Sequence, residues 1–184
     1  MNLWALTEFT LREAFRRRVV LLAGIVAAAF LALYGVGVWF GYDDLRSSTR
    51  LTGSERTLVI SFLLGGGLWS LNFAASLLAI FLSVGEISGE IDQGTMHAVA
   101  SRPVRRMEIV VGKFLGYAAL IAVFIIVTTG TAMAIVGVIT RYVPGRPWAA
   151  PLLMLGGAVV LLTLSIAGSS RLSSLANGVV VFTL

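Results

Sequence analysis

The sequence predicts an all-α integral membrane protein: an N-terminal interfacial elbow helix, four transmembrane helices, the start of a fifth, and a short cytoplasmic helix between the second and third spans. Three observations predict it. Only 12% of the 184 residues are charged, about half the usual share of a soluble domain, and the mean hydropathy is +0.93. Four runs carry no charge at all, Val19 to Phe40, Thr57 to Val84, Phe114 to Thr140 and Pro147 to Ser170, and each is long enough to cross a bilayer, which takes about 20 apolar residues. The charges are confined to the segments between these runs.

The elements follow in order. Residues 1–18 contain LWALTEFTLREAFRRR, in which Trp4, Leu11, Ala14 and Phe15 share a helical face and Arg12, Glu13 and Arg16 lie away from it. Leu6 and Phe9 break the pattern, which reads as a helix lying on the membrane surface, with Trp4, Arg16, Arg17 and Arg18 at the interface, ahead of the alternative of a simple extension of the first span. The 19–40 run after the three arginines is longer than the 7 to 15 residues of a signal-peptide core, so it reads as a retained span. The segment 41–56 is short and polar and reads as a solvated turn. Its adjacent Asp43 and Asp44 have no further carboxylate at helical spacing, as a cation site of clustered acids requires.

Spans 57–84, 114–140 and 147–170 follow, separated by 85–113 and by a short link around Arg141 to Arg146. The last apolar run, 172–184, is too short to cross by itself and reads as the start of a fifth span, with the chain cut off inside it. Lysines and arginines in alternate segments number nine against five. The richer set belongs on the cytoplasmic side, which places the N-terminus inside. Trp39, Tyr42, Tyr142 and Trp148 then fall at the outer ends of spans, where amphipathic rings prefer to sit.

Within the spans the polar residues are uncharged: Asn72, Thr128, Thr129, Thr131 and Ser165. These are expected to hydrogen-bond between helices, and the pairs Gly85/Gly89, Gly112/Gly116 and Gly130/Ala134 to allow close helix contacts. No Asp, Glu, Lys or Arg lies inside a run, so a proton relay has no carrier.

Several chemistries are excluded. The chain has no cysteine and one histidine, His97, which leaves no disulfide, thiolate nucleophile or zinc cluster, and no cofactor is expected. Gly112-Lys113 is not the end of a phosphate-binding loop, because Met107 and Phe114 stand where that loop needs Gly and Ser or Thr. The GSSRLSS stretch around Ser169 does not match a hydrolase elbow. The net charge of +5 is a topology signal beside membrane spans and does not call for a nucleic-acid partner.

The window from Gly85 to Lys113 concentrates eight charged residues between two apolar runs. Glu86 and Glu90 lie one helical turn apart. Gly94 permits a turn, Thr95 caps a short helix through Ala100, and Pro103 opens a new helix near Val104. This knot of opposite charges projects into the cytosol, with Arg102, Arg105 and Arg106 facing the acids or leaving them for a partner.

The string E-I-x-x-G-T, then S-R-P-V-R-R-x-E, then G-K-F-L-G resembles the cytoplasmic loop of permease subunits of the ABC-2 type transporter family. The matching positions are Glu86, Glu90, Gly94, Thr95, Arg102, Pro103, Arg106, Gly112 and Lys113. The resemblance extends to the basic elbow and the spacing of the spans, while family members usually have six spans. It implies an exporter's membrane subunit in the plasma membrane, in a prokaryote the inner membrane, working by alternating access. Its partners would be a separate cytosolic ATPase, which supplies ATP hydrolysis, and a second permease copy, identical or not. The short helix would then be a coupling helix, involving Glu86, Glu90, Gly94, Thr95, Met96, Arg102, Pro103 and Arg106, with Lys113 at the membrane surface. A non-transporting membrane anchor or assembly subunit would use the same loop, and a lipid-modifying enzyme would have to draw on Asp43, Asp44 or His97.

Overall fold

The computed structural model describes residues 18–47, 52–83 and 106–169, together with Ala176, Val179, Val180 and Thr183. These residues form four long helices and, among the described residues, no strand: α1 Arg18–Ser47, α2 Gly53–Ser83, α3 Arg106–Thr140 and α4 Ala149–Ser169. All four are long and apolar enough to cross a membrane. The elbow and the 84–105 segment lie outside the described residues. Of 172–184 only the four residues named above are described, each helical.

The helices outrun the charge-free stretches that predict them. α1 continues through Asp43 and Asp44 to Ser47, so much of the expected turn at 41–56 is helix. α3 is already helical at Arg106, ahead of the apolar run that begins at Phe114. Hydropathy reports where hydrocarbon ends, and a helix has no reason to stop there. At 1.5 Å per residue the 30 residues of α1 extend about 45 Å, against about 30 Å of hydrocarbon.

The turns have local causes. Thr52 precedes α2 as its N-cap, and the Glu55 carboxylate accepts hydrogen bonds from both the Thr52 amide and its hydroxyl, each at 2.8 Å; this is one half of a capping box. α3 ends on Arg141, whose φ of 57° is left-handed and whose amide donates to the Gly137 carbonyl at 2.9 Å. That is the single-bond left-handed cap that often finishes a helix. Pro151 falls in the first turn of α4, where the missing amide leaves no bond unmade.

α2 and α3 form the central pair, and both α1 and α4 pack against the two of them. The larger core joins Leu71, Ala75, Leu78 and Leu82 of α2 to Tyr117, Ile121 and Ile125 of α3 and to Met154, Ala158 and Leu162 of α4. A smaller core at the other end joins Val38, Ile60, Leu64 and Val136. The smaller core takes in the start of α2 (Ile60) and the end of α3 (Val136), and the larger core the end of α2 (Leu82) and the early part of α3 (Tyr117), so α2 and α3 run antiparallel. Ser83 and Arg106, which flank residues 84–105, therefore lie at the end of the bundle opposite the 141–148 link.

Candidate functional site

The site that the sequence points to is the link between α2 and α3. Glu86, Glu90, Gly94, Thr95, Met96, Arg102 and Pro103 lie outside the described residues, as do Trp4, Arg16, Arg17 and His97. Arg106 opens α3 and Arg18 opens α1, while Lys113 is half-buried directly ahead of the apolar run of α3. What the structure gives is the platform from which the link emerges.

That platform is densely packed. At the end of α2, Leu78, Ala79, Leu82 and Ser83 are all buried, Ala79 and Ser83 completely. The Ser83 hydroxyl donates to the Ala79 carbonyl at 2.6 Å and lies 3.2 Å from that of Ile80. Facing it on α3, Gly112, Gly116, Tyr117 and Leu120 are buried. The Gly112/Gly116 pair therefore lies in the packed interior, as its small-residue spacing predicts. Both helices enter the link from a close-packed core, which moves as a body more readily than it bends.

Farther from the link, at the middle of α2 and at its start, the contacts are more specific. The Tyr34 hydroxyl of α1 donates to the Leu63 carbonyl of α2 at 3.1 Å, its ring stacks on Phe30, and the same ring covers Gly67. A Cβ at Gly67 would lie 2.6 Å from Tyr34 Cε2 and Cζ, whereas one at Gly65 or Gly66 would meet nothing within 4 Å. The Ser61 hydroxyl lies 3.1 Å from the Tyr142 hydroxyl and donates to the Thr57 carbonyl. This ties the start of α2 to the α3–α4 link and gathers Trp39, Tyr42, Tyr142 and Trp148 at one end of the bundle.

Two expectations about the spans need correction. Among the described residues the threonine hydroxyls donate within their own helix: Thr128, Thr129 and Thr131 to the carbonyls of Phe124, Ile125 and Val127, four residues back. A carbonyl at that spacing is always within reach, so satisfying the hydroxyl needs no second helix. Gly130 and Ala134 are both exposed, and Gly130 has nothing within 4 Å of its Cβ position, so that pair makes no close contact among the described residues. The close approach is at Gly67, which is buried beneath Tyr34 while Gly65 and Gly66 are exposed.

Among the described residues no three of His, Cys, Asp and Glu stand close enough to hold a metal, and Asp43 and Asp44 are exposed on the last turns of α1. Among the described residues the arrangement is two long continuous helices, α2 and α3, with a buried core where α2 ends and α3 begins. Residues 4–183 match a family model described as ABC-2 family transporter protein. No curated protein matches the chain.

Proposed function

Since the chain belongs to the ABC-2 family of transporter proteins, a multi-pass membrane permease by family and by its four spanning-length helices, we propose that it is the membrane subunit of an exporter driven by a separate cytosolic ATPase. The observation that carries this reading is the continuity of α2 and α3. Their 31 and 35 residues extend about 46 and 52 Å, so each reaches past a hydrocarbon layer of about 30 Å without a break. A displacement of the 84–105 link is thereby delivered to the far end of the bundle.

In this proposal the short helix after Gly94 seats in a groove of the ATPase, with Glu90, Gly94, Thr95, Met96 and Arg102 making the contact. Closure of the ATPase dimer tilts it, and α2 and α3 follow as levers. Glu86, Arg105, Arg106 and Lys113 hold the link against headgroups or one another, and Pro103 separates the short helix from α3. A second permease copy completes the pathway, the N-terminus lies in the cytoplasm, and the protein resides in the plasma membrane. The test is charge reversal in the complete complex: Glu90→Arg with Arg102→Glu should abolish co-purification of the ATPase and transport while leaving the permease folded. Unchanged binding and transport in that variant would remove the link from the coupling path.

A further inference from the structure

The two cores divide the bundle into two packed bodies, and three helices cross from one to the other. On α2 the smaller core takes Ile60 and Leu64 and the larger begins at Leu71; the interval between them contains Gly65, Gly66 and Gly67. On α1, Phe30 and Leu31 pack on the larger core and Val38 belongs to the smaller, and that interval contains Gly35 and Gly37. α3 crosses between Ala132 and Val136 through Met133, Ala134 and Ile135, with no glycine. Tyr34 packs against both bodies.

Packing accounts for Gly67, beneath Tyr34, but not for its neighbours: a Cβ at Gly37, Gly65 or Gly66 would meet nothing within 4 Å. Each of these glycines weakens its helix relative to alanine, and clusters of glycine and serine are among the few places where helices bend sharply. A bend inside hydrocarbon also needs a second donor for every carbonyl it frees. The Leu63 and Gly66 carbonyls, which in an unbroken helix accept from the amides four residues on, already have one. The Tyr34 hydroxyl donates to the first at 3.1 Å and the Ser70 hydroxyl to the second at 3.0 Å. Opening α2 at the triplet would leave both carbonyls bonded.

We propose that α2 is hinged at Gly65–Gly67 and α1 at Gly35 and Gly37, so that residues 53–64 of α2 and 38–47 of α1 swing as one unit against the core of α2, α3 and α4. The Tyr34 hydroxyl holds the Leu63 carbonyl when α2 bends, and α3 stays straight as the fixed edge. The contact of the Ser61 and Tyr142 hydroxyls, 3.1 Å apart, ties the swinging part of α2 to the α3–α4 link and restrains it. The movement belongs to this chain and needs no ATPase, so its test is independent of the proposed coupling.

The chain has no cysteine, so spin labels can be placed in pairs and their separation read by pulsed EPR in lipid nanodiscs. Leu58→Cys on the swinging part of α2 and Leu153→Cys on α4 report the movement; Phe81→Cys and Leu164→Cys, both on the larger body, are the control, and all four positions are exposed. The first pair should give a broad distance distribution and the control a narrow one. Gly65→Ala with Gly66→Ala, which adds methyls only to open space, should at least halve the width of the first distribution. Tyr34→Phe should narrow it and Ser61→Ala should widen it, with the control pair unchanged throughout. A first distribution as narrow as the control, or one that the two alanines leave as broad, overturns the hinge. A width that Tyr34→Phe leaves unchanged or increases overturns the part given to its hydroxyl, and one that Ser61→Ala does not increase overturns the restraint. If the two alanines instead abolish a dimer seen by native mass spectrometry and leave the width unchanged, the glycines serve a contact between copies and the proposal falls.

Discussion

Gly65, Gly66 and Gly67 are identical in sequence and differ only in what they face, so they form a controlled test of the α1–α2 contact. Gly→Ala in a helix interior gains about 1 kcal/mol of propensity. That gain is common to all three positions and cancels when they are compared. At Gly65 and Gly66 the added methyl meets open space. At Gly67 it would stand 2.6 Å from two ring carbons of Tyr34, where carbon atoms rest at about 3.5–4.0 Å, so ring or helix must retreat by about 1 Å. Overpacking of that kind costs about 1–3 kcal/mol, and a ring that swings away also loses its bond to the Leu63 carbonyl, worth about 0.6 kcal/mol in a membrane protein. Gly67→Ala should therefore be less stable than Gly66→Ala by about 2–4 kcal/mol, measured by reversible unfolding in mixed micelles of dodecyl sulfate. Removing the ring removes the difference: in a Tyr34→Ala background the two variants should agree within about 0.5 kcal/mol, as uncoupled sites do. If Gly67→Ala tracks Gly66→Ala in the wild-type background, or still falls behind it without Tyr34, the contact is not what fixes α1 against α2.

Two further outcomes follow from the turns and the topology. Arg141 holds a left-handed φ at an exposed cap, so Arg141→Val should destabilise by about 1–2 kcal/mol in the same unfolding assay. Arg141→Gly, which relieves the backbone while losing a cation at the helix end, should stay within about 1 kcal/mol of wild type. The chain contains no cysteine, which makes single-cysteine labelling clean: Ser101→Cys should react with an impermeant maleimide only in inverted vesicles and Gly145→Cys only in intact cells, and the reverse pattern would invert the proposed orientation.

The spans are legible in the sequence because a charge-free run of 20 or more residues finds its natural solvent in hydrocarbon, and the four runs coincide with α1 to α4. The end of α1 is not, since polar residues such as Asp43 and Asp44 are as content in a helix beyond the hydrocarbon as in a turn, whereas the helix expected to open near Val104 agrees with Arg106 being helical. Which glycine matters is also hidden. Choosing Gly67 over its neighbours requires the rotation of α2 about its axis, and that is set by which residues of α1 and α3 it meets. The residues of the proposed coupling link stand out by their charges and breaks and by a family resemblance, and their mutual geometry lies beyond the described residues. What the structure adds is the uneven packing along α2: a dense core at its link end, a tyrosine over a glycine at its middle, and a few hydroxyls at its start.

That asymmetry bears on how a permease of this kind would pass on a push from its partner. Leu82 is 1% exposed near the link end of α2, while Leu58 is 59% exposed at the other end. Truncating a buried leucine costs about 2–5 kcal/mol, whereas truncating one that faces lipid leaves no cavity to collapse, so Leu82→Ala should lower stability by that amount and Leu58→Ala by little. The more telling readout separates binding from transmission. Leu82 is not part of the link, so Leu82→Ala should still co-purify with an ATPase partner. But with its anchor loosened, the end of α2 could shift without carrying the α2–α3–α4 core along. A spin label at Gly145→Cys, at the far end of the bundle, should then respond to ATP in the otherwise wild-type complex and respond less in Leu82→Ala at equal ATPase occupancy, with Leu58→Ala unaffected. An undiminished response in Leu82→Ala would show that the helices carry displacement by their own stiffness, and that the dense packing beneath the link serves stability alone.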